Sequence, residues 1–374
     1  MLRLRPSATG GSLGLSLATS ADGGSGLPTA APETIEEAAG LMANLPAGGD
    51  RIRIHGGGSH RGIGHQVTSD VVLSTSRLDR VVAWEPDDLT VVVEAGVLVE
   101  ELEQMLASKG QTALLPEQPG TGTVGGAVAT ATSGWRRFRY GPIRDRVLET
   151  TLVSSDGRVV TAGGRVVKNV TGYDIPRLAT GSLGAMGLIA RVCLKLWPVP
   201  QASATVPVES PEEALEVAYR PLAVLETREG AAVFLGGTPE EVAGQASALG
   251  AEPAAGLDWP NHPSGAVRFS VRTPPSSLRG IVDRLDPGWR YLAQFGVGEV
   301  TVAADAVGLE ELEELRGRAE SLGGALVMLD APASVARAFD PWGTPPPSIE
   351  IQRRIVDLFD PGRRINRGIL PGRI

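Results

Sequence analysis

Glycine placement between residues 166 and 197 constrains this chain more than any other feature. Gly172, Gly181, Gly184 and Gly187 follow the pair Gly163 and Gly164 at short intervals, with Lys168 and Asn169 among them. A backbone with so many missing side chains can approach a large ligand with its N–H groups unshielded. The segment closes on an unbroken strand-like run, 188–196, ended by Trp197 and Pro198. That run ties one end of the glycine loop to a core. The combination suits a cofactor that carries phosphates and a flat ring. A turn-rich connection between strands would have the same local pattern.

Two further glycine loops lie upstream. The stretch 51–55 reads as a short strand that runs directly into Gly56, Gly57, Gly58, Ser59 and His60. Consecutive glycines at a strand end place several N–H donors in one concavity, which is how backbone binds a pyrophosphate. Later, Pro116 and Pro119 lead into Gly120, Gly122, Gly125 and Gly126. Gly120, Gly122 and Gly125 spell G-x-G-x-x-G, but a Rossmann fingerprint needs a strand immediately before it, and here two prolines intervene. The helix expected at 126–132 is rich in small residues, so its start can lie close to a bound group.

Length and composition narrow the class. A chain of 374 residues can build two cores. The net charge of −8 argues against a nucleic-acid surface. Cys193 is the one cysteine and sits in the strand-like run, so the chain holds no disulfide and no cysteine-held metal or iron–sulfur centre. No apolar run approaches the roughly 18–20 residues of a membrane span. In residues 1–26, Arg3 and Arg5 precede a short apolar stretch, but Gly and Ser interrupt it. It is expected to be a disordered tail rather than a signal peptide.

His55, His60 and His65 are splayed by a strand and a glycine loop, with no carboxylate at ligand spacing, so no metal site is expected. Arg136, Arg137, Arg139 and Arg144 alternate with aromatics over 134–145 and are expected to offset cofactor phosphate or flavin charge. From residue 205 onward a βαββα pattern occurs twice: strands 205–208, 222–226 and 231–235 with helices from 210 and at 239–249, then 267–271, 276–285, 289–295, 299–303 and 309–322, with a last strand 325–329. This predicts an antiparallel sheet backed by helices on one face, laid over the first half as a cap.

The order of these loops resembles the flavoprotein family typified by vanillyl-alcohol oxidase and p-cresol methylhydroxylase, the PCMH type. The carrying residues are Gly56 to Ser59, Pro119 to Gly126, Tyr140 and Gly141 with Arg144 and Asp145, and the run from Lys168 to Pro198. Within that family, KNVTGYD (168–174) and LATGSLGAMG (178–187) are most similar to the FAD-binding E-type subunits of bacterial glycolate oxidases. The resemblance implies an α+β fold: a two-subdomain FAD-binding domain over 27–200, a cap over 201–347, and a C-terminal helix and tail, 348–374, returning to the FAD domain. It implies cofactor contacts at Gly56, Gly57, Gly58, Ser59, His60, Pro119, Gly120, Thr123, Gly125, Gly126, Gly134, Gly172, Tyr173, Asp174, Gly181, Gly187 and Ile189. Family members with a histidyl–flavin bond carry the histidine where Ser59 stands here, so the FAD is expected to be non-covalent.

The function implied is that of an FAD-binding subunit of a glycolate or other 2-hydroxy-acid oxidase complex, cytoplasmic or attached to a membrane through its partners. Those partners are a D-type catalytic flavoprotein and an iron–sulfur subunit. The histidine-rich metal motif of the D-type partner is absent, and His262 is expected on a surface loop. With no clear base, the chain's own flavin is expected to relay electrons. The other reading is a free-standing FAD-dependent oxidoreductase acting on another small alcohol or acid, with Tyr140 and Arg144 as catalytic candidates.

Overall fold

The computed structural model describes residues 27–44, 51–117, 120, 122–165, 172–250 and 252–374. The tail 1–26, Pro119, Lys168 and Asn169 lie outside the described residues.

The first half is built on two main sheets, with a two-stranded ladder of Gln111–Thr112 and Trp197–Pro198 beside them. Ile52–His55, Val71–Ser74 and Thr29–Ala30 pair in parallel, with Val71–Ser74 in the middle. Helix Ile35–Asn44 buries Ile35, Ala38, Leu41 and Met42 against them, a spacing that puts all four on one face. A five-stranded antiparallel sheet follows, in the order Val81–Glu85, Thr90–Glu94, Leu188–Lys195, Val147–Val153, Val159–Gly163. The run that closes the glycine segment is therefore its central strand. Helices Val99–Ala107 and Val124–Thr130 pack Leu102, Leu106, Val124 and Val128 into its core of Val91, Val93, Val192 and Leu194. Each such side chain contributes about 1.5–3 kcal/mol by leaving water. Helix Val124–Thr130 starts earlier than the small-residue run suggests because Thr123 caps it, its side chain accepting from the Gly126 N–H.

The second half is an eight-stranded sheet in which every pairing is antiparallel. The strand order within the two βαββα units is mirrored. Ala202–Val208, Gly230–Gly237 and Ala223–Thr227 lie on one side, and Arg290–Phe295, Glu299–Ala304 and Val267–Arg272 on the other. The units meet through their second strands, Val224 opposite Phe295 and Glu226 opposite Ala293. Helices Pro211–Val217, Pro239–Leu249 and Leu309–Ser321 cover one face, supplying Ala214, Val242, Ala246, Leu312 and Leu315 to its core. The helix expected at 276–285 is reduced to a 3₁₀ turn, Pro275–Ser277, and the single turn Arg279–Val282. Pro274 and Pro275 at its entry and Pro287 and Gly288 beyond its exit leave no room for more.

Strand alternation sends the neighbouring residues to the opposite face. Val224, Val233 and Tyr291 join the helix-covered core, whereas Ala223, Leu225, Phe234 and Leu292 pack with Trp135 and Tyr140 of the first half. All four arginines in 134–145 meet protein groups, Arg144 only through an exposed pair with Asp145 at 3.9 Å. Arg136 pairs with Glu117 at 2.7 Å, Arg137 with Glu299 at 2.6 Å, and Arg139 donates to the Gly236 carbonyl at 2.5 Å. The expectation that they offset cofactor charge is corrected accordingly: this stretch is chiefly a cap-docking surface.

Helix Ile349–Phe359 leads the chain back to the first half. The Ile52 N–H donates to the Arg364 carbonyl at 2.8 Å, and the Asn366 N–H to the Ile52 carbonyl at 2.9 Å. Ile365 thereby bridges Ile52 in parallel along the edge of the small sheet. Among the described residues no helix is long and apolar enough to cross a membrane.

Candidate functional site

Strand Ile52–His55 delivers the chain into Gly56, Gly57 and Gly58, where a φ of +78° at Gly58 turns it in a way that favours glycine. This loop docks on the start of helix Val124–Thr130. A Cβ on Gly56 would stand 2.7 Å from Thr123 Oγ1, and one on Gly125 would stand 2.8 Å from the Ala95 carbonyl oxygen. A side chain at 56 would push that loop off Thr123 and one at 125 would push the helix start off Ala95, so the bare backbones make one wall. That wall lines a cleft together with Ser59, His60, Gly126 and Ile189. Among the described residues, the amide N–H groups of Gly56, Gly57, Gly58 and Ser59 meet no acceptor. Asn366 closes the far side: its Oδ1 accepts from the Ile54 N–H at 3.0 Å and its Nδ2 donates to the Leu183 carbonyl at 2.6 Å.

A second cavity of about 310 Å³ opens from the same place, sharing Ser59, His60, Ile63 and Thr130 with the first. Its outer wall is the face of the cap sheet that the helices leave uncovered. Along Val267–Arg272 the apolar residues Val267, Phe269 and Val271 enter the cap core, while Arg268 and Arg272 face this chamber. Gln294, Glu299 and Thr301 do the same from the neighbouring strands. Glu299 accepts from Arg137 at 2.6 Å, Ser270 at 2.7 Å and Arg272 at 3.2 Å. Burial opposes its charge, but Arg272 and Arg137 outweigh it and hold the carboxyl below the usual range.

His262 is not a surface residue, correcting the expectation for its loop. Its ring packs 4.7 Å from Trp135, and its Nε2 lies 3.1 Å from the Glu117 carbonyl, so Nε2 carries the proton. It lines the chamber with His60. Burial, then Arg268 and His262, push His60 down to about 4; burial is also the main force lowering His262. Both rings are uncharged at neutral pH. The period-two pattern of 267–272 carries the signal for Arg268 and Arg272. Nothing local signals His262, whose place depends on contacts with Glu117 and Trp135.

The remaining sequence-predicted residues lie elsewhere. Gly134 lines the chamber. Gly120 is exposed and lines neither cavity. Gly172 and Tyr173 are exposed, and Asp174 caps helix Ile175–Ala179 by accepting from the Arg177 N–H. Gly181 donates to the Val128 carbonyl at 3.0 Å, and Gly187 packs against the Val153 carbonyl. Tyr140 packs on Trp197 with ring centroids 5.0 Å apart and Arg144 is exposed; neither lines the cleft or the chamber. Among the described residues, no three His, Cys, Asp or Glu side chains gather as a metal site.

A family model described as an FAD binding domain matches residues 28–163. The D-lactate dehydrogenase of Archaeoglobus fulgidus is 30% identical over 224 residues, 57% of this chain and 49% of that protein. The glycolate oxidase subunit GlcE of Escherichia coli is 37% identical over 155 residues, 40% of this chain and 43% of that subunit. Residues 28–163, about a third of the chain, are thus similar to the FAD-binding domain of PCMH-type flavoproteins. By name these relatives are a dehydrogenase and an oxidase subunit. A further relative, the D-lactate dehydrogenase of Anaerostipes hadrus, is 34% identical over 149 residues, 39% of this chain and 31% of that protein. The chain thus spans about a third to a half of the length of these PCMH-type relatives. Among solved structures, alkyldihydroxyacetonephosphate synthase superposes with a TM-score of 0.62 at 16% identity, covering 89% of this chain and 74% of that one. At that identity the likeness is one of fold.

The residues present fit FAD. The N–H groups of Gly56, Gly57, Gly58 and Ser59 are donors for the pyrophosphate, Gly125 and Gly126 leave room for its close approach, and Ile189 and Leu183 offer apolar contact to a ring system. Bound there, FAD supplies an acceptor for a hydrogen and its electron pair.

Proposed function

We propose that the chain is the FAD-binding subunit of a 2-hydroxy-acid oxidase or dehydrogenase complex of the glycolate oxidase kind. It takes electrons from a small 2-hydroxy acid and passes them to an iron–sulfur partner, alongside a D-type flavoprotein. The observation that carries this reading is the chamber, which joins the flavin cleft at Ser59 and His60 and is lined by cations. Among the described residues Arg268 is its least committed cation, held by Asp330 at 3.4 Å, and is suited to a substrate carboxylate. The uncharged His60 and His262 can take a hydroxyl proton, which removes the ground for treating this flavin as a relay alone. The names of the relatives, D-lactate dehydrogenase and glycolate oxidase subunit, support the substrate class. With one cysteine, buried in a strand, the chain has no iron–sulfur centre of its own, so electrons leave to another protein.

The test is rapid mixing of the FAD-loaded chain with glycolate and with D-lactate, followed at the flavin absorbance band, alone and with the iron–sulfur partner. Bleaching by a 2-hydroxy acid and reoxidation only through the partner is the expected result. No bleaching in either setting would exclude the reading.

A further inference from the structure

We infer that Ser59 and His60 form a directional proton acceptor at the junction of the two cavities, oriented by a chain of hydroxyls that ends on a backbone carbonyl. This rests on the function proposed above, and it names the groups that receive the substrate's hydroxyl proton.

The direction follows from counting hydrogens. Thr130 Oγ1 lies 2.8 Å from the Gly126 carbonyl oxygen. A carbonyl has no hydrogen to give, so the one hydroxyl hydrogen of Thr130 points at Gly126. Thr132 Oγ1 lies 2.6 Å from Thr130 Oγ1 and must be the donor of that pair. Its hydrogen is then committed, so at the 3.1 Å contact with His60 Nε2 the ring donates and Thr132 accepts. A neutral imidazole carrying its hydrogen on Nε2 has its lone pair on Nδ1. Ser59 Oγ stands 2.9 Å from Nδ1 and donates to it. The polarity therefore runs from Ser59 through His60, Thr132 and Thr130 to the Gly126 carbonyl. Nothing in it can reverse while the helix is intact, because Gly126 lies in the first turn of helix Val124–Thr130.

Ser59 and His60 line both the flavin cleft and the chamber, the one place where a substrate in the chamber would meet a cofactor in the cleft. There the substrate O–H bond breaks and its proton passes to Ser59 Oγ, while the Ser59 proton passes to His60 Nδ1. Bound in the cleft, FAD would accept the electron pair of the C–H bond that breaks as the C=O bond forms, and the His60 ring returns its proton to solvent. The charged and titratable groups that line the chamber with His60 are Glu117, Arg137, His262, Arg268, Arg272 and Glu299. Burial first, and then Arg268, keep the ring uncharged at neutral pH. Thr130 and Thr132 are positioning residues.

The first measurement is ¹⁵N NMR of the FAD-loaded, histidine-labelled protein. His60 is expected as the Nε2–H tautomer; Thr132→Val should mix the tautomers and Thr132→Ser restore the single one. The second is the rate of flavin reduction by glycolate or D-lactate against pH. Ser59→Ala and His60→Gln should each lower it by about 100-fold or more, and His60→Gln should abolish its acid limb. A His60 found with its hydrogen on Nδ1, or flavin bound covalently to His60, would overturn the inference, as would wild-type rates and pH dependence in both variants. A wild-type protein that no 2-hydroxy acid reduces would instead overturn the function reading, leaving the tautomer to decide the hydroxyl chain by itself.

Discussion

Arg137 Nη1 in the first half lies 2.6 Å from Glu299 Oε2 in the cap sheet, so one charged hydrogen bond spans the two cores beside the chamber. Arg137→Met keeps most of the side-chain volume and removes that bond. Glu299 retains Arg272 and Ser270, so its charge stays compensated. The expected loss is about 1–3 kcal/mol. Cap and flavin half should also unfold less cooperatively, seen in calorimetry as a broadened or split transition.

Glycines divide into those that packing requires and those that it does not. Gly125→Ala places a methyl against Ala95, and Gly56→Ala places one against Thr123 Oγ1. Overpacking of this kind costs about 1–3 kcal/mol, and is relieved only if Gly125 draws away from Ala95, or the Gly56 loop from Thr123. FAD content after purification should fall sharply in both variants. By contrast, Gly244 and Gly317 lie inside helices Pro239–Leu249 and Leu309–Ser321 with no atom within 4 Å of an added Cβ. Alanine at either should raise stability by about 0.5–1 kcal/mol with FAD content unchanged.

Stability should also depend on pH through His60. Its folded value of about 4 lies below the ordinary 6.5, so the unfolded chain binds the proton first as pH falls. The stability associated with an uncharged His60 is full above pH 6.5 and is lost progressively down to about pH 4, by at most about 3 kcal/mol. His262, shifted the same way, adds to the same limb. Urea unfolding at several pH values in this window should show a shallower slope for His60→Gln than for wild type.

How much of this was legible follows the range of the interactions. The strand that runs into Gly56, the central strand Leu188–Lys195 and the doubled βαββα pattern are local signals, and the elements stand close to where the patterns put them, apart from the shortened helix at 276–285. The capping of helix Pro239–Leu249 by Thr238 and Glu241 was equally readable. The chamber was not. Arg268 and Arg272 could be placed on one sheet face by alternation, but which face meets the cleft depends on the docking of Trp135 and Tyr140. His262 finds its partner 145 residues away, and an isolated histidine between Asn261 and Pro263 has no local cue. The arginines of 134–145 misled for the same reason: charge is visible in a sequence, whereas its counter-charge is not.

Flavin attachment has a direct check. Ser59 is held by His60 rather than replaced by it, and His60 has both ring nitrogens engaged by hydroxyls, so no ring nitrogen is set aside for a bond to the cofactor. Acid precipitation is expected to leave the yellow colour in the supernatant. Colour retained in the pellet would indicate a covalent link.

The pairing of Ile365 with Ile52 has a consequence for the order in which the protein matures. Asn366 and Ile54 are 312 residues apart, yet their contact completes the wall of the cofactor cleft. On the ribosome the first half emerges long before residue 364, with strand Ile52–His55 still an open edge. Closing so long a loop is entropically unfavourable until the intervening cap has folded and brought its ends together. Cofactor uptake is therefore a late event in biogenesis, and a cap that folds slowly would delay the loading of a site to which it contributes no glycine.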